Sequence, residues 1–143
     1  MLIRRMTLED IPAVVEIEKA CFSLPWREKS CEDSLSREDT VFLVCSDEGV
    51  TGYMGLYLSF DEASVTNVAV SPEFRKKGYG EALVTAAKEF AKEAGVESIF
   101  LEVRQSNAPA LSLYKKLGFE ELGIRKKFYE HPVEDAIIMK VGI

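Results

Sequence analysis

The segment Ser71-Pro72-Glu73-Phe74-Arg75-Lys76-Lys77-Gly78-Tyr79-Gly80 joins the apolar run Thr66-Asn67-Val68-Ala69-Val70 to a stretch in which Leu83, Ala87, Phe90 and Ala94 recur with helical period. No other part of the chain constrains the fold as much. A strand that passes through a glycine-bearing turn into a helix sets the helix start at a sheet end. The N–H groups there lack intrahelical partners and carry partial positive charge. Glycines let an anion approach those donors closely, and Arg75, Lys76 and Lys77 add full charge beside them. The order strand, Ser-Pro turn, basic triplet, two glycines and helix points to a phosphate-bearing ligand held by main chain, and so to group transfer. Spacing alone also fits a polar turn that merely caps a surface helix.

The remaining elements follow from periodicity and punctuation. Residues 2–6 read as a strand. Thr7 then caps a helix to about residue 22, with Ile11, Val14, Ile17 and Cys21 on one face and Glu9 and Asp10 in its first turn. Pro25 marks a break, and residues 29–35 form a shorter helix. Strands 41–45, 53–60 and 63–70 make an antiparallel meander, turning at Asp47-Glu48-Gly49 and at Asp61-Glu62. A helix over 79–94 stops at Gly95, and the strand 99–103 returns parallel to the strand before the helix. A helix over 109–117 opens at Asn107 and Pro109 and closes at Gly118-Phe119. Strands 120–129 and 134–141, linked through His131-Pro132, finish the chain. The expected fold is a single α/β domain over 1–143: a mixed, mostly antiparallel seven-stranded sheet with a central parallel pair, flanked by about four helices.

Length suits that reading, since 143 residues can bury roughly 70% of the surface the unfolded chain exposes. Cys21, Cys31 and Cys45 form no C-x-x-C pair, and their odd number argues against a disulfide framework and for a reducing, cytoplasmic home. Neither a secretory leader nor an apolar run long enough for a bilayer is present, so a soluble protein is expected. A formal net charge of −6 disfavours a general grip on nucleic acid and suits a cationic partner.

Glu102 is the odd member of the apolar strand Ile99-Phe100-Leu101-Glu102-Val103, near the end that faces a ligand crevice in open α/β sheets. It is either a surface ion-pair partner for Arg104 or a lysine, or a functional carboxylate. Tyr114, on the side of Leu111 and Leu117, is a core aromatic or a crevice hydroxyl, and Asn107 is an N-cap that could also border the crevice. His131 sits in a turn without metal-ligand spacing to any Cys, Asp or Glu, and no nucleophile elbow or Walker loop occurs.

The order of elements together with Arg75-x-x-Gly78-x-Gly80 resembles the GNAT superfamily of acetyl-coenzyme A-dependent N-acetyltransferases over essentially the whole chain. Four stretches are similar to the ribosomal-protein-alanine N-acetyltransferases within it. They are Cys21-Phe22-Ser23-Leu24-Pro25-Trp26, Leu101-Glu102-Val103-Arg104 with Ser106-Asn107, Leu113-Tyr114-Lys115-Lys116-Leu117-Gly118-Phe119, and Glu134-Asp135-Ala136-Ile137-Ile138-Met139.

The resemblance implies acetyl-CoA as co-substrate and no metal. Its pyrophosphate would lie on the backbone of Arg75, Lys76, Lys77, Gly78, Tyr79 and Gly80, and its pantetheine arm would pair with Val68, Ala69 and Val70 in a splayed sheet. Glu102 would be general base, Tyr114 general acid toward the departing thiolate, and Asn107 a cofactor contact. A backbone N–H among Val68, Ala69 and Val70 would polarise the thioester carbonyl. The implied acceptor is a protein N-terminus, with the N-terminal alanine of a small-subunit ribosomal protein favoured. Phe22, Trp26 and Tyr129 would border its groove, though aromatics in such places also serve as packing anchors.

Elementary chemistry agrees with these roles. Amine attack on a thioester builds negative charge on oxygen, requires proton removal from nitrogen and proton delivery to sulfur, and needs no covalent enzyme intermediate. An α-amino group titrates near ~7.7–8.0 against ~10.4 for lysine, so at neutral pH a terminus offers a few hundred-fold more free base, on the order of 10². Acetylation of lysines or small amines by the same scaffold, and a module that binds coenzyme A without transfer, are the alternatives.

Overall fold

The computed structural model describes Met1–Ile143. Seven strands and four α-helices alternate in chain order: β1 (Leu2–Arg5), α1 (Ile11–Cys21), α2 (Glu28–Leu35), β2 (Thr40–Ser46), β3 (Val50–Ser59), β4 (Glu62–Val70), α3 (Tyr79–Glu93), β5 (Ser98–Arg104), α4 (Ala108–Lys116), β6 (Glu120–Tyr129) and β7 (Glu134–Gly142). They form one sheet in the order β1-β2-β3-β4-β5-β7-β6, in which only β4 and β5 run parallel. The expected α/β architecture is therefore present, with the parallel pair at its centre.

Alternation along the strands sorts the core into two layers. Val41, Leu43 and Cys45 of β2 and Met54 and Leu56 of β3 meet Leu83, Val84 and Ala87 of α3. Phe42 and Val44, with Tyr53, turn the other way and meet Val14 and Ile17 of α1. Covering on both faces explains why β2 and most of β3 are buried continuously rather than at every second residue. The strands β6 and β7 leave that double cover. Nearly all of β6 is exposed, and it forms the sheet edge.

The start of α1 differs from expectation. Residues Leu8–Asp10 form a 3-10 turn before the α-helix; Thr7 is its N-cap, as expected, in a capping box with Asp10, whose Oδ2 accepts the Thr7 N–H at 2.8 Å. Asp10 also accepts a bidentate pair from Arg4, at 2.7 and 2.8 Å. That fork suits a carboxylate that is only 7% exposed. β3 begins at Val50, earlier than expected, because Gly52 serves close packing instead of breaking the strand. A Cβ there would stand 2.9 Å from Ala69 O on β4. The helix ends fall where glycine placed them, with Gly95 at φ +87 and Gly118 at φ +96.

One irregularity in β4 decides which of its side chains meet α3. Gly55 pairs with Asn67 but Leu56 pairs with Val65, so Thr66 is an extra residue in the strand. The bulge restores alternation beyond it, leaving Val65, Val68 and Val70 all on the α3 face.

Candidate active site

The site is a gap in the middle of the sheet. β4 and β5 pair only through Glu62↔Ser98, Ala63↔Ile99 and Ser64↔Phe100. Beyond that they diverge, because β4 follows β3 as far as Gly52↔Val70 while β5 follows β7 as far as Arg104↔Ala136. The Ser71 N–H donates to Thr51 O of β3 at 2.8 Å. By alternation Ala69 turns its main-chain groups to β3, and Val68 and Val70 turn theirs into the gap. The result is a strand edge exposed inside a sheet.

α3 starts at the head of this gap. Lys76 at φ +63 and Gly78 at φ +84 are both left-handed, the kind of backbone conformation from which anion-binding nests are built. Lys76 and Lys77 are exposed, and Lys77 lies over the Phe74 ring at 5.6 Å. The Arg75 guanidinium stays close to the gap, with Nε 3.3 Å from Val70 O and a terminal nitrogen 3.2 Å from Cys21 Sγ. Tyr79 is buried and its hydroxyl donates to Asp47 Oδ2 at 2.9 Å, so only its main chain is free for a ligand. A Cβ on Gly80 would make ordinary contacts, 3.5 Å to Leu113 Cδ2 and 3.9 Å to Val70 Cγ2. A helix start preceded by left-handed residues, exposed cations and an unpaired strand edge fit a ligand with phosphates at one end and an amide-bearing arm at the other.

Glu102 and Tyr114 lie on opposite faces of the sheet. Leu101 and Val103 point into the α3 layer, so Glu102 between them points to the α1 face. It is half-buried, and its Oε1 lies 3.6 Å from Nε of Arg125, a β6 residue that sequence reading did not connect with it. Arg104, one of the partners a surface ion pair could have used, instead pairs with Glu134 at 3.2 Å, and its guanidinium stacks over Tyr129 at 4.4 Å. Tyr114 belongs to the α3 layer, edge-on to Phe119 with ring centroids 5.5 Å apart. Burial pushes its phenol well above the ordinary value, with the neighbouring Tyr129 adding to the effect, and no protein group hydrogen-bonds the hydroxyl. Tyr129, half-buried, is pushed up to about 12, first by burial and next by the Glu102 carboxylate. Tyr129 thus lies near enough to both Glu102 and Tyr114 to interact electrostatically with each.

The other expected site residues divide. Asn107 is the N-cap of α4, its Oδ1 accepting from the Ala110 N–H at 3.2 Å, which leaves its amide nitrogen free. Trp26 packs against Phe42, with ring centroids 6.1 Å apart. Phe22 is 42% exposed and Leu24 62%, in the segment directly after Cys21, whose Sγ lies 3.5 Å from Val70 O. Two residues escaped the sequence reading altogether. Glu18 is 1% exposed and Tyr53 1%, and they share a hydrogen bond in the α1 layer.

Residues 11–119 match the Acetyltransferase (GNAT) family. The chain belongs to that family. As a GNAT member it is an acetyl-CoA-dependent N-acetyltransferase. A Bacillus subtilis protein provisionally named ribosomal protein bS18-alanine N-acetyltransferase is 43% identical over 99% of this chain and 95% of its own length. The Escherichia coli ribosomal protein bS18-alanine N-acetyltransferase is 35% identical over 94% of this chain and 92% of its own. The crystal structure of the ribosomal-protein-S18-alanine N-acetyltransferase from Escherichia coli superposes with a TM-score of 0.91, covering 99% of this chain and 93% of that one at 33% identity. This GNAT chain has no helix long and apolar enough to cross a membrane.

Proposed function

We propose that this GNAT enzyme acetylates the N-terminal α-amino group of a protein in the cytoplasm, with alanine at the start of ribosomal protein bS18 as favoured acceptor. The observation that supports the reading is that Glu102 faces the α1 side of the sheet while Tyr114 belongs to the α3 layer, which would separate a proton acceptor from a proton donor. The names of full-length relatives support the choice of acceptor.

Acetyl-CoA supplies an acetyl group activated as a thioester. The loop from Arg75 to Gly80 holds its phosphates, and the strand edge at Val68 and Val70 receives its arm, with Asn107 contributing its free amide nitrogen. One of the gap-facing N–H groups donates to the thioester oxygen, where negative charge develops. The acceptor enters on the α1 face, between the wall of Phe22 and Leu24 and the ring of Tyr129. Its nitrogen sheds two protons as ammonium becomes amide. One leaves to solvent before attack, and Glu102 accepts the other as the C–N bond forms, directly or through one water, and releases it to solvent. The C–N bond forms, the C–S bond breaks, and Tyr114 gives its proton to the leaving sulfur and is reprotonated from solvent. A raised phenol pKa keeps that proton in place until sulfur departs, and the same dry surroundings raise the basicity of the thiolate.

The test is transfer from acetyl-CoA to a short peptide beginning with the bS18 N-terminal alanine, beside a lysine peptide and a polyamine at equal concentration. Preference for the α-amine is expected. Glu102→Gln should lower kcat for the peptide by about 10²–10⁴. Equal turnover of all three acceptors, or an undiminished Glu102→Gln rate, would defeat the reading.

A further inference from the structure

The segment Phe22–Trp26 that walls the acceptor side is not part of any helix or strand, yet one residue ties both of its ends. The Glu18 main-chain carbonyl accepts the Phe22 N–H at 2.9 Å, closing α1. The Glu18 side chain reaches back over the same segment, and its Oε1 accepts the Trp26 N–H at 2.8 Å. The other carboxylate oxygen takes the Tyr53 hydroxyl of β3, which is itself 1% exposed. The segment is thus bolted through Glu18 to the strand next to β4. We infer that Glu18 is a positioning residue for the acceptor, holding the Phe22 and Leu24 wall at a fixed distance from the gap by pinning the Trp26 main chain to Tyr53.

Helix formation and packing alone do not call for an acid here. Glu18 faces the apolar α1 layer beside Val14 and Ile17, where a leucine or methionine would fill the space without desolvating a charge. No lysine or arginine pairs with it; its partners are a backbone N–H and a phenol, both of which need an acceptor oxygen. A buried carboxylate kept for two neutral donors makes sense if the position of those donors matters. What the Trp26 N–H fixes is a stretch whose side chains, Phe22 at 42% and Leu24 at 62% exposed, face outward rather than into the core. A wall held in place loses less freedom when a flexible peptide end docks against it, and that favours acceptor binding without touching the cofactor. The inference rests on the reading that this face receives the acceptor.

Three variants test it: Glu18→Met, which keeps volume but removes both acceptor oxygens; Glu18→Gln, which keeps an oxygen for Trp26; and Tyr53→Phe, which removes only the anchoring hydroxyl. Loss of the hold should raise KM for the alanine-started peptide about tenfold in Glu18→Met, and less in Tyr53→Phe, while KM for acetyl-CoA stays within about twofold. Glu18→Gln should recover most of the peptide KM. Tyr53→Phe and melting temperatures keep the test open should Glu18→Met fold poorly. An unchanged peptide KM, a parallel rise in both KM values, or no recovery in Glu18→Gln would overturn the assignment. If wild-type enzyme ignores the peptide and takes another amine, the α-amine reading falls alone, and the same KM split is then measured with that amine. If wild type takes no amine, both fall.

Discussion

Tyr114→Phe separates a catalytic hydroxyl from a structural one. Tyr114 is 5% exposed, its ring packs edge-on to Phe119, and its hydroxyl has no hydrogen-bond partner within the protein. The phenylalanine ring keeps the packing and removes one polar atom that burial disfavours, so the stability change should lie within about 0.5 kcal/mol and can be positive. For 143 residues the unfolding entropy near the midpoint is about 0.3 kcal/mol/K, so the melting temperature should move by less than about 2 °C. Activity should behave differently. Loss of a positioned general acid lowers kcat by about 10²–10⁴, equivalent to about 3–5 kcal/mol of transition-state stabilisation. Steady-state release of free thiol from acetyl-CoA, measured with the peptide and compared with scanning calorimetry of the same samples, reads both quantities. A fall in kcat together with a large loss of melting temperature would mean that the hydroxyl has a structural partner. A variant that turns over at the wild-type rate would remove Tyr114 from the chemistry, because nothing about its ring differs.

Three further outcomes are expected from the packing. Gly55→Ala should destabilise the protein by about 1–3 kcal/mol in chemical denaturation, because the new Cβ would lie 2.5 Å from Thr66 Oγ1 and against the Phe42 ring; wild-type stability would refute the close approach. Asp10→Asn should cost about 1–2 kcal/mol at neutral pH by weakening the fork from Arg4. Arg4 chiefly holds the Asp10 carboxyl below its usual range, so the stability it adds is present above the unfolded carboxylate value near ~3.9 and fades as pH falls through the lower folded value. Denaturation at a series of pH values should therefore show the wild type and Asp10→Asn converging in acid; a constant gap would contradict it. Gly78→Ala should lose about 1–2 kcal/mol from its φ of +84 and weaken acetyl-CoA binding by calorimetry, although its Cβ would meet no protein atom.

Much of this was legible in residue order. Gly95 and Gly118 stop their helices because only glycine enters the left-handed region freely, and the strand before Arg75 and the helix after Gly80 are local facts. The placement of Glu102 opposite Leu101 and Val103 is likewise a property of strand alternation. What the chain order did not reveal is pairing between distant segments. β7 inserts between β5 and β6, so Arg125 of β6, not Arg104, reaches Glu102. Thr66 looks like any strand threonine until its neighbours are counted against β3. Glu18 stands seven residues after Ile11 and four after Val14, on the apolar face of α1, a spacing that could have flagged it. Its reason for being there comes from Tyr53, a residue 35 positions away.

The three residue pairs that join β4 to β5 leave the protein as two half-sheets stitched at one end. Such a joint resembles a zip closed for its first few teeth. A cofactor arm lying along Val68 and Val70 would supply the missing teeth on one side, so the ligand becomes a temporary strand of the enzyme. Amide exchange at those two residues should then slow when coenzyme A binds, and speed up again each time the spent carrier leaves.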